Sequence, residues 1–84
     1  MAEQRAIESE LLSFLQREVF APGMPVTQDT DLIAAGFDSV SLVRLLLFVE
    51  TTYGFWIPEA EITTTALSNV RSLAATVSRL LHEG

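Results

Sequence analysis

Two prolines and a glycine within Ala21-Pro22-Gly23-Met24-Pro25 constrain this chain more than any other feature, because none of them continues a helix there. What precedes this stop has helical period. Ile7, Leu11, Leu15 and Val19 recur every fourth residue, and Leu12 and Phe14 widen the stripe. Glu3, Arg5, Glu8, Glu10, Gln16, Arg17 and Glu18 fill the opposite side, so an amphipathic helix is predicted over residues 2–20. After the stop, a long loop runs to Asp38. Leu32-Ile33-Ala34-Ala35 is expected to form one helical turn within it, with Leu32 and Ile33 pinning the loop to the core. Such a loop is either functional or a plain crossover between helices.

Gly36 ends that turn, and Asp38 or Ser39 caps a second helix that runs to Tyr53 and stops at Gly54. Pro58 and the acids of Glu59-Ala60-Glu61-Ile62 suit the start of a short third helix, and the β-branched run Thr63-Thr64-Thr65 is a poor helix interior. Ser68 or Asn69 caps a last helix over residues 70–82, with Leu73, Val77, Leu80 and Leu81 on its apolar face. The expected architecture is all-α: a small bundle of three longer helices and a short third one, in a single domain over residues 1–84. About half of the 84 residues are hydrophobic, enough for a modest core without metal or disulfide, and there is no cysteine.

The second helix is unusual in having two apolar sides. At 100° per residue, Leu42, Leu45, Leu46, Val49 and Tyr53 make the core stripe. Val40, Arg44, Leu47 and Thr51 lie opposite, flanked by Val43 and Phe48. A chain this small has little mass with which to cover both faces, so Val40, Val43 and Leu47 are expected to face a partner, with Arg44 reaching solvent or a carboxylate. Trp56, in the following connector, is expected to be semi-exposed over the short third helix.

Charge and composition exclude several functions. The net charge is −6, with five arginines and no lysine. No basic face is available for nucleic acid or an anionic membrane. The acidity suits a partner with a basic surface, or serves solubility alone. No apolar run is long enough to span a bilayer, and the polar start lacks a signal-peptide pattern, so a cytoplasmic location is expected. The sole histidine, His82, reads as an exposed helix end, and no serine–histidine arrangement is credible. Asp29, Asp31 and Asp38 lack metal-loop spacing and read as caps of turns. No catalytic residues and no metal site are assigned. Ser39 has a different interest: at a helix start, free N–H groups and the positive dipole end favour a phosphate attached to its oxygen. On those grounds alone, an Asp-Ser pair is more often just a cap.

The stretch Asp31-Leu32-Ile33-Ala34-Ala35-Gly36-Phe37-Asp38-Ser39-Val40 resembles the phosphopantetheine attachment motif of acyl carrier proteins. Glu50, Tyr53-Gly54, Ile57-Pro58-Glu59 and Asn69-Val70-Arg71-Ser72-Leu73 extend the resemblance over nearly the whole chain. The resemblance implies a four-helix bundle with a long loop between its first two helices. It also implies 4′-phosphopantetheine on Ser39, installed from coenzyme A by a phosphopantetheinyl transferase using magnesium, with Asp38 supporting the modification. The arm would then import the thiol that the chain lacks and hold cargo as a thioester. Implied partners are the transferase, an acyl- or aminoacyl-loading enzyme, and a ketosynthase, acyltransferase or tailoring enzymes, met by a monomeric, non-catalytic carrier.

Two departures shape the expected role. Val40 stands where the family usually has leucine. The second helix carries only Arg44 and Glu50 as charges, so the family's acidic docking stripe is largely missing. That pattern points away from fatty-acid synthesis and towards a discrete carrier of polyketide or polyketide–peptide hybrid biosynthesis, docking through Val40, Val43, Arg44 and Leu47. The alternatives are an aminoacyl or peptidyl carrier loaded by an adenylating enzyme and, more distantly, an unmodified helical interaction module.

Overall fold

The computed structural model describes residues 2–83. Helix α1 (Ala2–Glu18) buries Ile7, Leu11, Phe14 and Leu15, the stripe that its spacing predicts. It ends two residues before the expected boundary. The amide of Phe20 reaches back to the carbonyl of Leu15 at 2.9 Å, which unwinds the chain and drops the Phe20 ring into the core. One assignment on this helix is corrected: Glu8, placed on the polar side, is only 7% exposed. It lies within electrostatic reach of the Arg71 guanidinium, a cation over sixty residues away in sequence.

The loop after α1 is tied to the start of α3 (Val70–Glu83). The amide of Leu32 donates to the carbonyl of Ser68 at 3.0 Å, and that of Arg71 to the carbonyl of Gln28 at 3.1 Å. The Arg71 guanidinium also forks onto both carboxylate oxygens of Asp29, at 3.0 and 3.1 Å. Residues 32–36 form the single turn expected there: Ala35 N–H bonds to the carbonyl of Asp31, the i→i−4 bond of one helical turn, and Phe37 N–H reaches that of Leu32 and ends it. Leu32 is fully buried and pins the loop as expected. Ile33 does not: a single turn cannot aim two consecutive side chains inward, and Ile33 is 47% exposed.

Helix α2 (Ser39–Tyr53) closes at Gly54, whose φ of +82° suits glycine and directs its N–H to the carbonyl of Glu50. Beyond Ile57, which is buried, the expected short helix is replaced by a 3₁₀ turn, Glu59–Glu61. The described residues therefore form three helices and one 3₁₀ turn, not four helices. Two i→i−3 bonds make the turn, Glu61 N–H to Pro58 and Ile62 N–H to Glu59. The chain then reaches the β-branched threonines, where the Thr63 hydroxyl takes the N–H of Ala66 at 3.1 Å and competes with a helical backbone. Asn69 caps α3 by accepting from the amide of Ser72 at 2.8 Å.

Helix α3 packs closely along α1. Leu11, Leu15, Leu32, Leu45, Val49, Val70, Leu73 and Val77 form the fully buried centre between the three helices and the loop. Beyond this shared core, three aromatic or polar contacts link α2 to α1 among the described residues. Phe14 stacks on Phe48 with centroids 4.5 Å apart, the Tyr53 hydroxyl donates to Glu10, and the Arg44 guanidinium donates to the Glu18 carbonyl at 3.2 Å. Partial burial first, and then Glu10, hold the Tyr53 hydroxyl well above the ordinary phenol range, so this link keeps its proton. Arg44 thus meets a backbone carbonyl at the C-terminus of α1, where a cation is favoured, rather than a carboxylate.

Candidate functional site

The start of α2 is set by Asp38. Its backbone is extended, with φ −123° and ψ −170°, and its carbonyl accepts the first helical bond, from Leu42 at 2.9 Å. Its Oδ1 accepts twice from Ser41, from the backbone N–H and from the hydroxyl, each at 2.9 Å. The backbone bond first, and the hydroxyl second, hold the Asp38 carboxyl below its ordinary range, so it stays ionised. Asp38 is therefore the cap, settling the choice between Asp38 and Ser39.

This arrangement separates two serines that sit two residues apart. Ser41 is buried and its hydroxyl is committed to Asp38. Ser39, the first residue of the helix, is exposed, and no hydrogen bond engages its hydroxyl among the described residues. The unpaired N–H groups and the positive end of α2 lie beside it. An open groove of about 270 Å³ adjoins it, with Ile33, Phe37, Leu42 and Leu67 supplying apolar wall next to Asp38 and Ser39. Such a site can hold an anionic group on the serine oxygen and lay an extended chain against apolar surface.

The other expected site residues stand further along α2. Val40, Val43 and Leu47 are 63%, 54% and 51% exposed, so the second apolar side of this helix is uncovered. Phe48 leaves that side and turns towards Phe14. Arg44 sits at the edge where α2 approaches the end of α1. Trp56 is half exposed, as its position in the connector suggests. His82 is exposed near the end of α3 and lies 2.6 Å from the Glu3 carboxylate. Asp31 accepts from the Ala34 amide, capping the loop turn, while Asp29 pairs with Arg71.

Sequence reasoning missed Ile33, Phe37 and Leu67 as groove residues. Ile33 and Leu67 sit in turns, where no period announces which way a side chain points. It also missed the role of Ser41, though a serine three residues after an aspartate cap is a readable signal.

Residues 9–77 match the family model for the phosphopantetheine attachment site, a span that runs from α1 through most of α3 and includes all of α2. No curated protein and no solved structure matched this chain.

Proposed function

We propose, from the premise that the chain belongs to the phosphopantetheine attachment site family, that Ser39 is the serine bearing its arm. Members of this family are carriers that hold 4′-phosphopantetheine covalently on a serine and meet the enzymes that modify and load them, phosphopantetheinyl transferase among these. The observation that carries the assignment is the contrast between Ser39, exposed and unengaged, and Ser41, buried and spent on Asp38.

The surroundings fit the group. A phosphodiester on the Ser39 oxygen lies at the positive end of α2, and the groove of Ile33, Phe37, Leu42 and Leu67 offers a surface for the chain that follows. When attached, the group supplies a terminal thiol for cargo, which this cysteine-free chain does not have. Asp38 supports modification by fixing the start of the helix and by drawing Ser41 away, which leaves the Ser39 hydroxyl accessible. The tether raises the effective concentration of cargo at each enzyme visited.

The docking face in this reading is Val40, Val43, Leu47 and Arg44. Its neutral, apolar character supports a role in specialised biosynthesis, of polyketide or polyketide–peptide hybrid type, above one in fatty-acid synthesis. Partners are then a loading enzyme and a ketosynthase, acyltransferase or tailoring enzyme.

Incubation with coenzyme A, magnesium and a broad-specificity transferase, followed by intact mass spectrometry, tests the assignment. The wild-type chain and Ser41→Ala should each gain one arm, and Ser39→Ala none. An equal gain by Ser39→Ala, or no gain by the wild type, overturns it.

A further inference from the structure

We infer that the seam between α1 and α2 is a docking groove for a partner that presents a carboxylate beside an apolar side chain. The inference deepens the docking reading above and rests on it. Helix α2 stands away from α1, and the gap holds a groove of about 350 Å³. Phe14, Phe48 and Leu47 give it an apolar lining, and Arg17, Arg44 and Glu18 are its charged groups. Leu47 belongs to the exposed stripe of α2, so the groove is continuous with the apolar face.

Charge complementarity selects the occupant. The chain as a whole carries −6, yet this groove holds two guanidiniums against one carboxylate. That carboxylate, on Glu18, faces Arg17 at 3.7 Å, which is a loose surface contact. Arg44 has no carboxylate within ion-pair distance among the described residues. Arg71 and Arg79, by contrast, are paired with Asp29 and with Glu61 and Glu83. The bond from Arg44 to the Glu18 carbonyl uses one N–H of five and holds the guanidinium at the groove, leaving the other donors for an incoming carboxylate. An apolar side chain seated on Leu47 and Phe48 brings such a carboxylate into a partly water-excluded setting, where the pairing gains strength. A basic partner would meet unpaired Arg44 with like charge.

The test uses the intact Ser39→Ala chain, so that its outcome is independent of the arm; the mass experiment judges the attachment itself. A synthetic amphipathic helical peptide, with leucines flanked by glutamates, is titrated against the isotopically labelled protein. A sibling peptide carries lysine at each glutamate position. The overall charge of −6 favours the lysine peptide, so only local recognition can favour the acidic one at this seam. The acidic peptide should shift amide resonances around Arg17, Arg44 and Leu47, with binding that weakens as salt rises. Arg44→Gln keeps a donor for the Glu18 carbonyl and removes the charge; it should weaken binding roughly tenfold with an unchanged melting temperature. Arg17→Gln should act in the same direction. Three outcomes overturn the inference: the lysine peptide occupying the seam as tightly, both variants binding like the parent, or seam shifts that grow with protein concentration alone, which assign the groove to a second copy.

Discussion

Helices α2 and α3 begin in the same way and are used differently. Asp38 accepts from the amide of Ser41 at 2.9 Å, and Asn69 from the amide of Ser72 at 2.8 Å, so each helix is capped by a short polar side chain reaching three residues ahead. The residue that follows each cap separates them. In α3 it is Val70, fully buried; in α2 it is Ser39, exposed. The faces diverge too. Helix α3 puts Val70, Leu73, Ala74 and Val77 into the core and spends Arg71 and Arg79 on ion pairs. Helix α2 buries Leu45, Leu46 and Val49 yet leaves Val40, Val43 and Leu47 uncovered. A cap therefore marks only a helix start. In the proposed reading, function enters where the position after the cap, and the side away from the core, are withheld from packing.

The strongest way to break this contrast is to truncate the two faces of α2 separately. Leu45 is fully buried and Leu47 is half exposed, though both are leucines on one helix. Leu45→Ala should cost about 2–5 kcal/mol, through lost transfer energy and the cavity it leaves. Leu47→Glu should change stability by no more than about 0.5 kcal/mol, as a surface substitution does, and should instead slow loading or transfer by partner enzymes. Denaturant melts and a loading assay measure the two effects. If Leu47→Glu unfolds the chain, the second face of α2 is structural; if the variant loads like the wild type, that face is not a docking surface.

The caps come next in size. Asn69→Ala removes the side-chain acceptor at the start of α3 and should cost about 1 kcal/mol in thermal or denaturant unfolding. Ser39→Ala touches no hydrogen bond among the described residues and should leave stability unchanged, while on the proposed assignment it should stop arm attachment. A measurable loss of stability in Ser39→Ala would show that Ser39 has a structural partner, and would weaken the contrast drawn between the two helix starts.

How much of this was legible follows the range of the interactions. The stripe Ile7, Leu11 and Leu15 is repeated often enough to fix α1, and the double-sided pattern of α2 foretold the exposure of Val40, Val43 and Leu47. Single turns carry no such repetition. Leu32 and Ile33 are adjacent apolar residues, and only the bond from the Leu32 amide to the Ser68 carbonyl, with the turn it anchors, decides which one is buried. Glu8 reads as one more surface acid, because Arg71, the cation within electrostatic reach of it, is distant in sequence. The short third helix rests, in sequence, on Pro58 and the acids after it; β-branching at residues 63–65 is legible there, but the Thr63 hydroxyl's bond to the Ala66 amide is not. At the site, Asp38-Ser39 alone indicated a cap; the attachment reading needed the surrounding motif and its family match.

The smallest expected effect sharpens the comparison most finely, because the two caps differ in one atom pair. Asp38 is a carboxylate and titrates; Asn69 is an amide and does not. Hydrogen bonds from Ser41 hold the Asp38 carboxyl below its ordinary value of 3.8, so the folded state favours the ionised form. The sign follows from linkage. The stabilisation is fully present above the unfolded value and is lost as pH falls through the lowered folded one, since the unfolded chain takes up the proton first. The start of α2 should therefore loosen in acid while that of α3 does not. Asp29 complicates a direct reading, because its pairing with Arg71 lowers its own carboxyl beside Ser72. The measurement is best made in an Asp29→Asn background, following the amide resonances of Ser41 and Ser72 as pH is lowered from neutral. Ser41 should titrate with a midpoint below the ordinary aspartate range, and Ser72 should show no comparable step. A shared midpoint would mean that both helices respond to one global acid transition, and the separate pH sensitivity assigned to the Asp38 cap would be lost.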